Sequence, residues 1–417
     1  MATAVEGLTT LLSVGGLVYM LLALWGARDF ERTSRRPLDA RSRRGGYAPD
    51  VTILKPLKGV DAQMYASLAS HCMQDYAGRF EILFGVSSID DLAVGQVERL
   101  RSEFPGCTLR LMECPERLGA SGKVSNLVQM LGQARYEHVV INDSDIRVSP
   151  SYLTAVMGCF GAAAGIDAAA GTDAAAGTGG AAGIEDARVG MVTAPYIGRT
   201  AAGGEALTLW SRLEALGIST DFLPGVLTAR KLEGGLRFGL GSTLAVSRGA
   251  LAAAGGLEPL VDYLADDYEM GARIAQAGYR VELCGEVVET AVPGYDFRGF
   301  RDHQLRWART TRDSRRWGYV GLGITYCIPW AALNCVASGF ALWSFTLLSV
   351  AALARVAVAL TVGVGVLRDG QVLRDLWLLP LRDCFGLGFW AWSFASDTVV
   401  WRGERFRLRG GRITRAA

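Results

Sequence analysis

The chain of 417 residues contains eight cysteines but no C-x-x-C pair and no zinc-like spacing, which removes the common structural zinc sites. Only three histidines are present, leaving little room for a histidine-built metal centre. Neither sign of charge dominates: 43 Lys and Arg against 41 Asp and Glu leave a net +2, so nothing points to nucleic acid as a partner. What the chain does have is apolar length. Half of it is hydrophobic and the mean hydropathy is +0.22.

Leu8 to Ala27 is a run of 20 residues without a charge, long enough for one membrane-spanning helix. An arginine-rich stretch, "RDFERTSRRPLDARSRR", follows at once, and only Glu6 is charged before it. Positive flanks stay in the cytoplasm, so the N-terminus is expected outside and Arg28 onward inside. A cleaved signal peptide would carry its basic flank on the other side of a shorter run. A second apolar region begins at Trp317 and has no charge until Arg355. It has room for two spans, Tyr319–Phe340 and Trp343–Val366, with Arg355 turned toward protein or water. A third, Leu376 to Trp401, is interrupted by Pro380, Arg382 and Asp383, and reads as a broken or interfacial segment followed by a weak span. The expected organisation is an N-terminal transmembrane helix (1–27), a basic cytoplasmic linker (28–47), a catalytic domain (48–316), a transmembrane or interfacial region (317–402) and a basic cytoplasmic tail (403–417). With the middle of the chain in the cytoplasm, the cysteines are expected as reduced thiols.

The middle region alternates strands with helices. "VTILKPL", "FEILFGVSS" and "HVVINDSD" are β-branched runs, and Ala62–Cys72 and Val94–Glu103 have helical spacing between them. That alternation predicts an α/β domain with a parallel sheet, whose ligands bind beyond the carboxyl ends of the strands. Lys55-Pro56, Ser88–Asp91 and Asp143–Asp145 all fall at such ends. Residues 161–190 repeat "AAAG" in low complexity and are expected to be a mobile surface insertion rather than core. "MVTAPYIG" resumes with a strand.

Three constellations carry chemistry. Asp143-Ser144-Asp145 is a D-x-D at a strand end, where two like charges call for neutralisation. A divalent cation, Mg²⁺ or Mn²⁺, sharing oxygens with a substrate diphosphate would supply it; simple helix or turn capping is the structural alternative. Asp266-Asp267 precede an amphipathic helix expected over Tyr268–Ala277. They are either an N-cap or a general base, since adjacent acids raise each other's pKa. "FRDHQLRWARTTR" places Arg306-Trp307 among further arginines before the second apolar region, which suits a diphosphate and a flat wall, or simply a membrane-proximal basic helix.

Taken in order, these segments resemble the ceramide glucosyltransferase family and the related bacterial enzymes that add N-acetylglucosamine to hopanoid lipids. "ILKPLKGVD", "GKVSNLVQM", "DSDIRVSP", "LADDYEMGARIAQAGYRV" and "WRGERFRLRGG" carry the resemblance. It implies a GT-A-type domain with N- and C-terminal transmembrane helices, acting in the cytoplasm as a multi-pass membrane protein. Asp143 and Asp145 would be the metal and UDP-sugar acids, Asp267 the base, and Arg306 and Trp307 the end of a Gln/Arg-x-x-Arg-Trp motif. Lys123 would match the family's lysine. The motif's first residue is His303, and the family's first aspartate falls on Ser88, leaving Asp90 and Asp91 beside it for the nucleotide. The reaction implied is inverting transfer from UDP-glucose or UDP-N-acetylglucosamine to a membrane lipid, ceramide-type or hopanoid, at the bilayer. A processive polysaccharide synthase and an inactive nucleotide- or lipid-binding homologue are the alternatives.

Overall fold

The computed structural model describes residues 2–34, 46–61, 63–169, 188–200, 207–401 and 404–415. Most of the basic linker (35–45) and of the Ala/Gly insertion (170–187) lie outside these. The chain forms two compact units. One, Thr33–Tyr196 with Leu232–Ala291, is built on a sheet; the other, Met1–Arg32, Ile197–Lys231 and Val292–Ala417, is mostly helical.

In chain order the elements are α1 (Ala2–Ser34), β1 (Val51–Pro56), α2 (Met64–Cys72), β2 (Phe80–Val86), α3 (Ala93–Glu103), β3 (Thr108–Glu113), α4 (Gly122–Gln133), β4 (His138–Ile141), β5 (Ile146–Arg147) and α5 (Tyr152–Ala169). There follow β6 (Val189–Thr193), β7 (Tyr196–Thr200), α6 (Leu209–Gly217), α7 (Leu223–Leu232), β8 (Leu244–Ser247), α8 (Arg248–Ala253), α9 (Asp266–Gln276), β9 (Arg280–Leu283) and β10 (Val288–Val292). The C-terminal part holds α10 (Phe297–Ser314), α11 (Arg316–Leu322), α12 (Cys327–Ala337), α13 (Leu342–Val358), α14 (Gln371–Asp375), α15 (Leu379–Ser393), β11 (Thr398–Trp401), β12 (Glu404–Arg409) and β13 (Arg412–Arg415).

The sheet unit has seven strands in the order β3-β2-β1-β4-β8-β6-β9. Its central strands are buried almost throughout, as continuous apolar runs should be when both faces are covered. β1 pairs in parallel with β2 (Val51↔Phe80) and with β4 (Val51↔His138). The sheet is mixed, not parallel: β8 runs against both β4 and β6. An apolar run such as Leu244–Val246 reads the same in either direction, so hydrophobicity held no clue to its sense. The "MVTAPYIG" stretch is two strands, β6 and β7, separated at Ala194-Pro195. What positions the site is the parallel part, where the carboxyl ends of β1, β2 and β4 lie side by side.

In the helical unit two helices are long and apolar enough to cross a membrane, Thr3–Ser34 and Leu342–Val366. A third arises if the bent pair Arg316–Thr325 and Cys327–Ala337, angled by 57°, counts as one span. The third apolar region departs from its reading: α15 is a helix of 15 residues, and a strand, β11, stands where a weak span was expected. Small residues let α1 pack closely, since a Cβ on Gly16 would meet Cys327 Cβ at 2.7 Å and one on Gly26 the Leu227 carbonyl at 2.7 Å. Asn334 Nδ2 donates to Thr9 Oγ1 (3.1 Å) and Thr10 Oγ1 (2.8 Å), pinning α12 to α1. Leu213, Leu216, Phe300, Leu305 and Phe389 form a core with Trp210 and Phe385 packed against it.

Arg355 is 2% exposed. It faces protein, as expected: its Nε donates to both oxygens of Asp383 (3.0 and 3.1 Å), its Nη1 donates to the Thr220 carbonyl (3.0 Å), and Nη2 pairs with Asp221. Asp221 lies on a π-helical turn, Ile218–Phe222, between α6 and α7, and also takes Arg382 Nε at 2.8 Å.

Candidate active site

The site of the sheet unit begins with two strand ends. β4 stops at Ile141 because Asn142 turns its side chain inward, donating to Tyr152 Oη (2.9 Å) and the Ser242 carbonyl (2.7 Å). The next residues, Asp143-Ser144-Asp145, form the turn into β5. Lys55, at the end of β1, is fully buried and donates from Nζ to the Asp143 carbonyl (3.0 Å), pinning that turn from below. Burial pushes the Lys55 ammonium down to about 7, with Asp145 and Asp143 opposing.

The two aspartates then diverge. Asp145 Oδ2 accepts from Thr290 Oγ1 (2.7 Å), brought alongside by the antiparallel pairing of β10 with β5. Burial raises the Asp145 carboxyl, and the Asp143 charge adds to it. Asp143 stays 42% exposed at its side chain and takes Lys123 Nζ on Oδ1 at 2.9 Å. Lys123 sits in the first turn of α4, whose N-cap Ser121 accepts from Val124 N–H. The same ammonium reaches Asp266 Oδ2 at 3.1 Å. Burial alone would lower its pKa, but Asp143 and Asp266 together hold it well above the ordinary lysine range.

Asp266 and Asp267 are not N-caps. The cap is Ala265, which makes no side-chain cap bond, and the two acids fill the first turn of α9. Acidic groups are favoured there by the helix dipole. Asp266 is buried on Lys123, whereas Asp267 is half-buried and accepts from the Tyr268 N–H at 2.8 Å. Burial first, and the Asp266 charge second, push the Asp267 carboxyl up to about 6. Its seat is made of backbone. Gly239 N–H donates to the Asp267 carbonyl at 3.3 Å, and a Cβ on Gly241 would meet Asp267 Oδ2 at 2.9 Å. A Cβ on Gly271, one turn along α9, would meet Gly239 N at 2.2 Å.

Thus Lys123, Asp143 and Asp266 are in direct contact, with Asp145 and Asp267 adjoining. Asp91 is engaged with backbone: its carboxylate accepts from Gly59 N–H (2.9 and 3.1 Å) and Ala93 N–H (2.9 Å), closing the loop after β1 onto the start of α3. Asp90 is exposed beside it, its N–H on Ser88 Oγ. Among the described residues no three His, Cys, Asp or Glu side chains converge as a metal set. Two carboxylates at most come from Asp143 and Asp145. That donor set fits a hard cation that keeps waters and completes its shell with a diphosphate, not a protein-only cage.

His303, Arg306 and Trp307 belong to the helical unit, on α10, whose N-cap Asp296 accepts from Gly299 N–H at 2.7 Å. His303 Nδ1 lies 3.0 Å from Oε1 of Glu214, a carboxylate 2% exposed on α6. The ring is stacked on Tyr295 (5.6 Å) and tilted against Trp307 (5.1 Å), which itself meets Phe222 (5.8 Å). Glu214 Oε2 accepts from Gln304 Nε2 (2.6 Å), and Gln304 Oε1 from Arg382 (2.8 Å). Burial works against the Glu214 charge, but His303 and Arg382 hold its pKa below the ordinary value. Arg306 is half-buried on the same helix. Sequence reading missed Thr290 and Glu214. Neither sits in a motif, and only tertiary pairing brings them to Asp145 and His303.

A family model described as Glycosyl transferase family 21 matches residues 8–171 and 178–414. The chain is 22% identical over 308 residues to ceramide glucosyltransferase 3 of Caenorhabditis elegans, covering 72% of this chain and 59% of that protein. It is 34% identical over 108 residues to ceramide glucosyltransferase of Komagataella phaffii, covering 25% of this chain and 21% of that protein. The chain therefore spans less than two thirds of these relatives. Among solved structures, the mannosyltransferase PcManGT from Pyrobaculum calidifontis, in complex with GDP-Man and Mn²⁺, superposes with a TM-score of 0.51 at 20% identity, over 94% of this chain and 98% of that one. That likeness concerns the fold, which is GT-A-type.

Proposed function

The chain belongs to glycosyl transferase family 21, and from that premise we propose that it transfers a single sugar, with inversion, from UDP-glucose or UDP-N-acetylglucosamine to a hydroxyl of a membrane lipid. The observation that carries this reading is the gathering of Asp143, Asp266 and Asp267 around Lys123, with Asp145 beside Asp143, at the carboxyl end of β4. The named relatives, ceramide glucosyltransferases, favour a ceramide-type acceptor. A hopanoid polyol presents the same hydroxyl chemistry.

Asp267 is the base. A carboxyl raised to about 6 is ionised at neutral pH yet basic enough to take a hydroxyl proton in the transition state. The acceptor oxygen attacks the anomeric carbon as its bond to UDP breaks, and the proton passes to Asp267. Asp143 and Asp145 are the acids that would hold Mg²⁺ or Mn²⁺, which would offset the charge of the diphosphate. Lys123 fixes Asp143 and Asp266, and Lys55 and Thr290 fix the turn and Asp145. The family resemblance would give Arg306 and His303, on α10, the part of donors to the leaving diphosphate and Trp307 that of a flat wall. Asp90 and Asp91, beside Ser88, would serve the nucleotide, with Asp91 also holding that loop. In this reading the chain is a multi-pass membrane protein with residues 28–316 in the cytoplasm, where UDP-sugars are; two helices long and apolar enough to span, and the arginine flank after Ala27, support it.

The test is reconstitution in nanodiscs with each UDP-sugar and either ceramide or a hopanoid polyol, followed by mass analysis of the lipids. One added hexose or N-acetylhexosamine is the expected product. A polymer would identify a processive synthase, and no turnover with either donor would identify a binding protein. A reporter inserted in the Ala/Gly stretch should behave as cytoplasmic; lumenal or periplasmic activity would reverse the orientation.

A further inference from the structure

The basic cytoplasmic tail expected over 403–417 carries strands among its described residues. Residues 398–415 contain a three-stranded antiparallel sheet, β11-β12-β13, closed at Gly410-Gly411, both at positive φ (57° and 76°) as a primed hairpin turn requires. "RFRLR" alternates with period two. Phe406 and Leu408 are buried with Val399 and Ile413, and Arg405, Arg407 and Arg409 are exposed on the other face. Register adds a fourth: Arg409 stands opposite Arg412, and Arg407 opposite Thr414 and Thr398. The sheet's one carboxylate among the described residues, Glu404, has the opposite parity and pairs with Arg415 at 3.1 Å. Arg405, Arg407 and Arg409 have no ion-pair partner among the described residues. Arg405, Arg407 and Arg409 thus set three unpaired like charges two residues apart on one face of β12, which an external anion would neutralise.

Where the face sits says which anion. The sheet is tied to the last turns of α10. Arg309 donates to the Thr398 carbonyl, Arg312 pairs with Asp397 (2.5 Å), and Gly411 N–H donates to Asp313. Four residues past Asp313 comes Trp317, 83% exposed, at the head of the bent apolar pair. The end of α15 is at the same level, with Tyr319 Oη donating to Ser393 Oγ (2.9 Å) and Trp392 and Phe394 exposed beside it. Exposed Trp at the ends of apolar helices mark the membrane–water boundary. The arginine face is therefore carried at headgroup level.

We propose that the outward face of this sheet is a docking surface for anionic phospholipid headgroups. Each of Arg405, Arg407 and Arg409 gains from a negatively charged leaflet within a Debye length, and the three act together. The inference does not depend on the sugar-transfer reading.

Native mass spectrometry of the full chain in nanodiscs of equal phosphatidylglycerol and phosphatidylcholine tests it. Wild type should retain phosphatidylglycerol preferentially, and R405Q/R407Q/R409Q should cut that preference about tenfold or more, while the matching triple lysine variant keeps most of it. Raising NaCl from 50 to 500 mM should erase the preference in wild type, a readout that needs no variant to fold. An unchanged preference in a folded glutamine variant, or at 500 mM salt, overturns the proposal. So does stripping of the lipid by inorganic phosphate at matched ionic strength, which would identify a discrete phosphate site. Tight binding of a single-stranded RNA, lost in the glutamine variant, would overturn it in favour of nucleic acid.

Discussion

Two charged clusters lie in this molecule, and their balance differs. In the sheet unit, Asp143, Asp145, Asp266 and Asp267 face Lys123 and a Lys55 whose own charge burial has weakened. In the helical unit, Glu214, Asp221 and Asp383 meet Arg355, Arg382 and His303 almost one for one. The first has negative charge to spare and half-exposed members; the second is nearly closed and buried. A surplus that the protein leaves unpaired is where a ligand belongs, whereas the matched set of Arg355 with Asp221 and Asp383, buried among apolar helices, is scaffolding.

Breaking that contrast should give effects of graded size. The largest is expected at the base. Asp267→Asn should slow lipid glycosylation by about 10²–10⁴-fold while leaving UDP-sugar affinity nearly intact. Near wild-type turnover, measured with affinity by calorimetry, would make Asp267 structural. Next is the matched cluster. Arg355→Met strands Asp383 without its cation and leaves Asp221 with Arg382 alone, and should cost about 3–5 kcal/mol of stability, read as a large drop in thermal midpoint. Unchanged unfolding would mean that the pairs are not needed to hold those helices.

Smaller effects separate the roles within the surplus cluster. Asp145→Asn should weaken cation-dependent UDP-sugar binding by about 10–100-fold, the scale of losing a metal-site partner. Titration with Mn²⁺ present and absent decides it, since a purely structural acid would show no cation-dependent difference. The smallest is a pH limb. A carboxyl raised to about 6 loses its ionised form as pH falls through that value, so kcat/KM should drop about tenfold per pH unit below it. Activity sustained down to pH 4, where an ordinary aspartate titrates, would remove burial of Asp267 from the mechanism.

Legibility in the sequence followed the range of the interactions. The strand ends at Lys55 and Asp143–Asp145, the acids at the head of α9 and the apolar run around Arg355 are local patterns. Period, spacing and flanking charge sufficed to find them. The sense of β8 was not legible, because a short apolar strand carries no direction. The final basic segment shows period-two alternation in "RFRLR", a strand signal that its charge obscured. Thr290 and Glu214 lie 145 and 89 residues from the side chains they hold, and no local rule reaches that far. The capping of α9 fell between the two: the acids were recognised, but their place within the first turn depends on the Gly239–Gly241 segment lying against them.

That glycine seat under Asp267 has a consequence for how the chain tolerates change. Positions 239, 241 and 271 each bring a would-be Cβ to 2.9 Å or less from another atom of the seat. At 271 the obstacle is backbone, which no rotamer can vacate. If all three codons were randomised and active clones recovered, the surviving alphabet at 271 should shrink to one letter, and those at 239 and 241 should remain nearly as narrow. Such a stretch cannot drift by small steps. It can be inherited whole or lost whole, and a lineage that loses it has no intermediate through which to return.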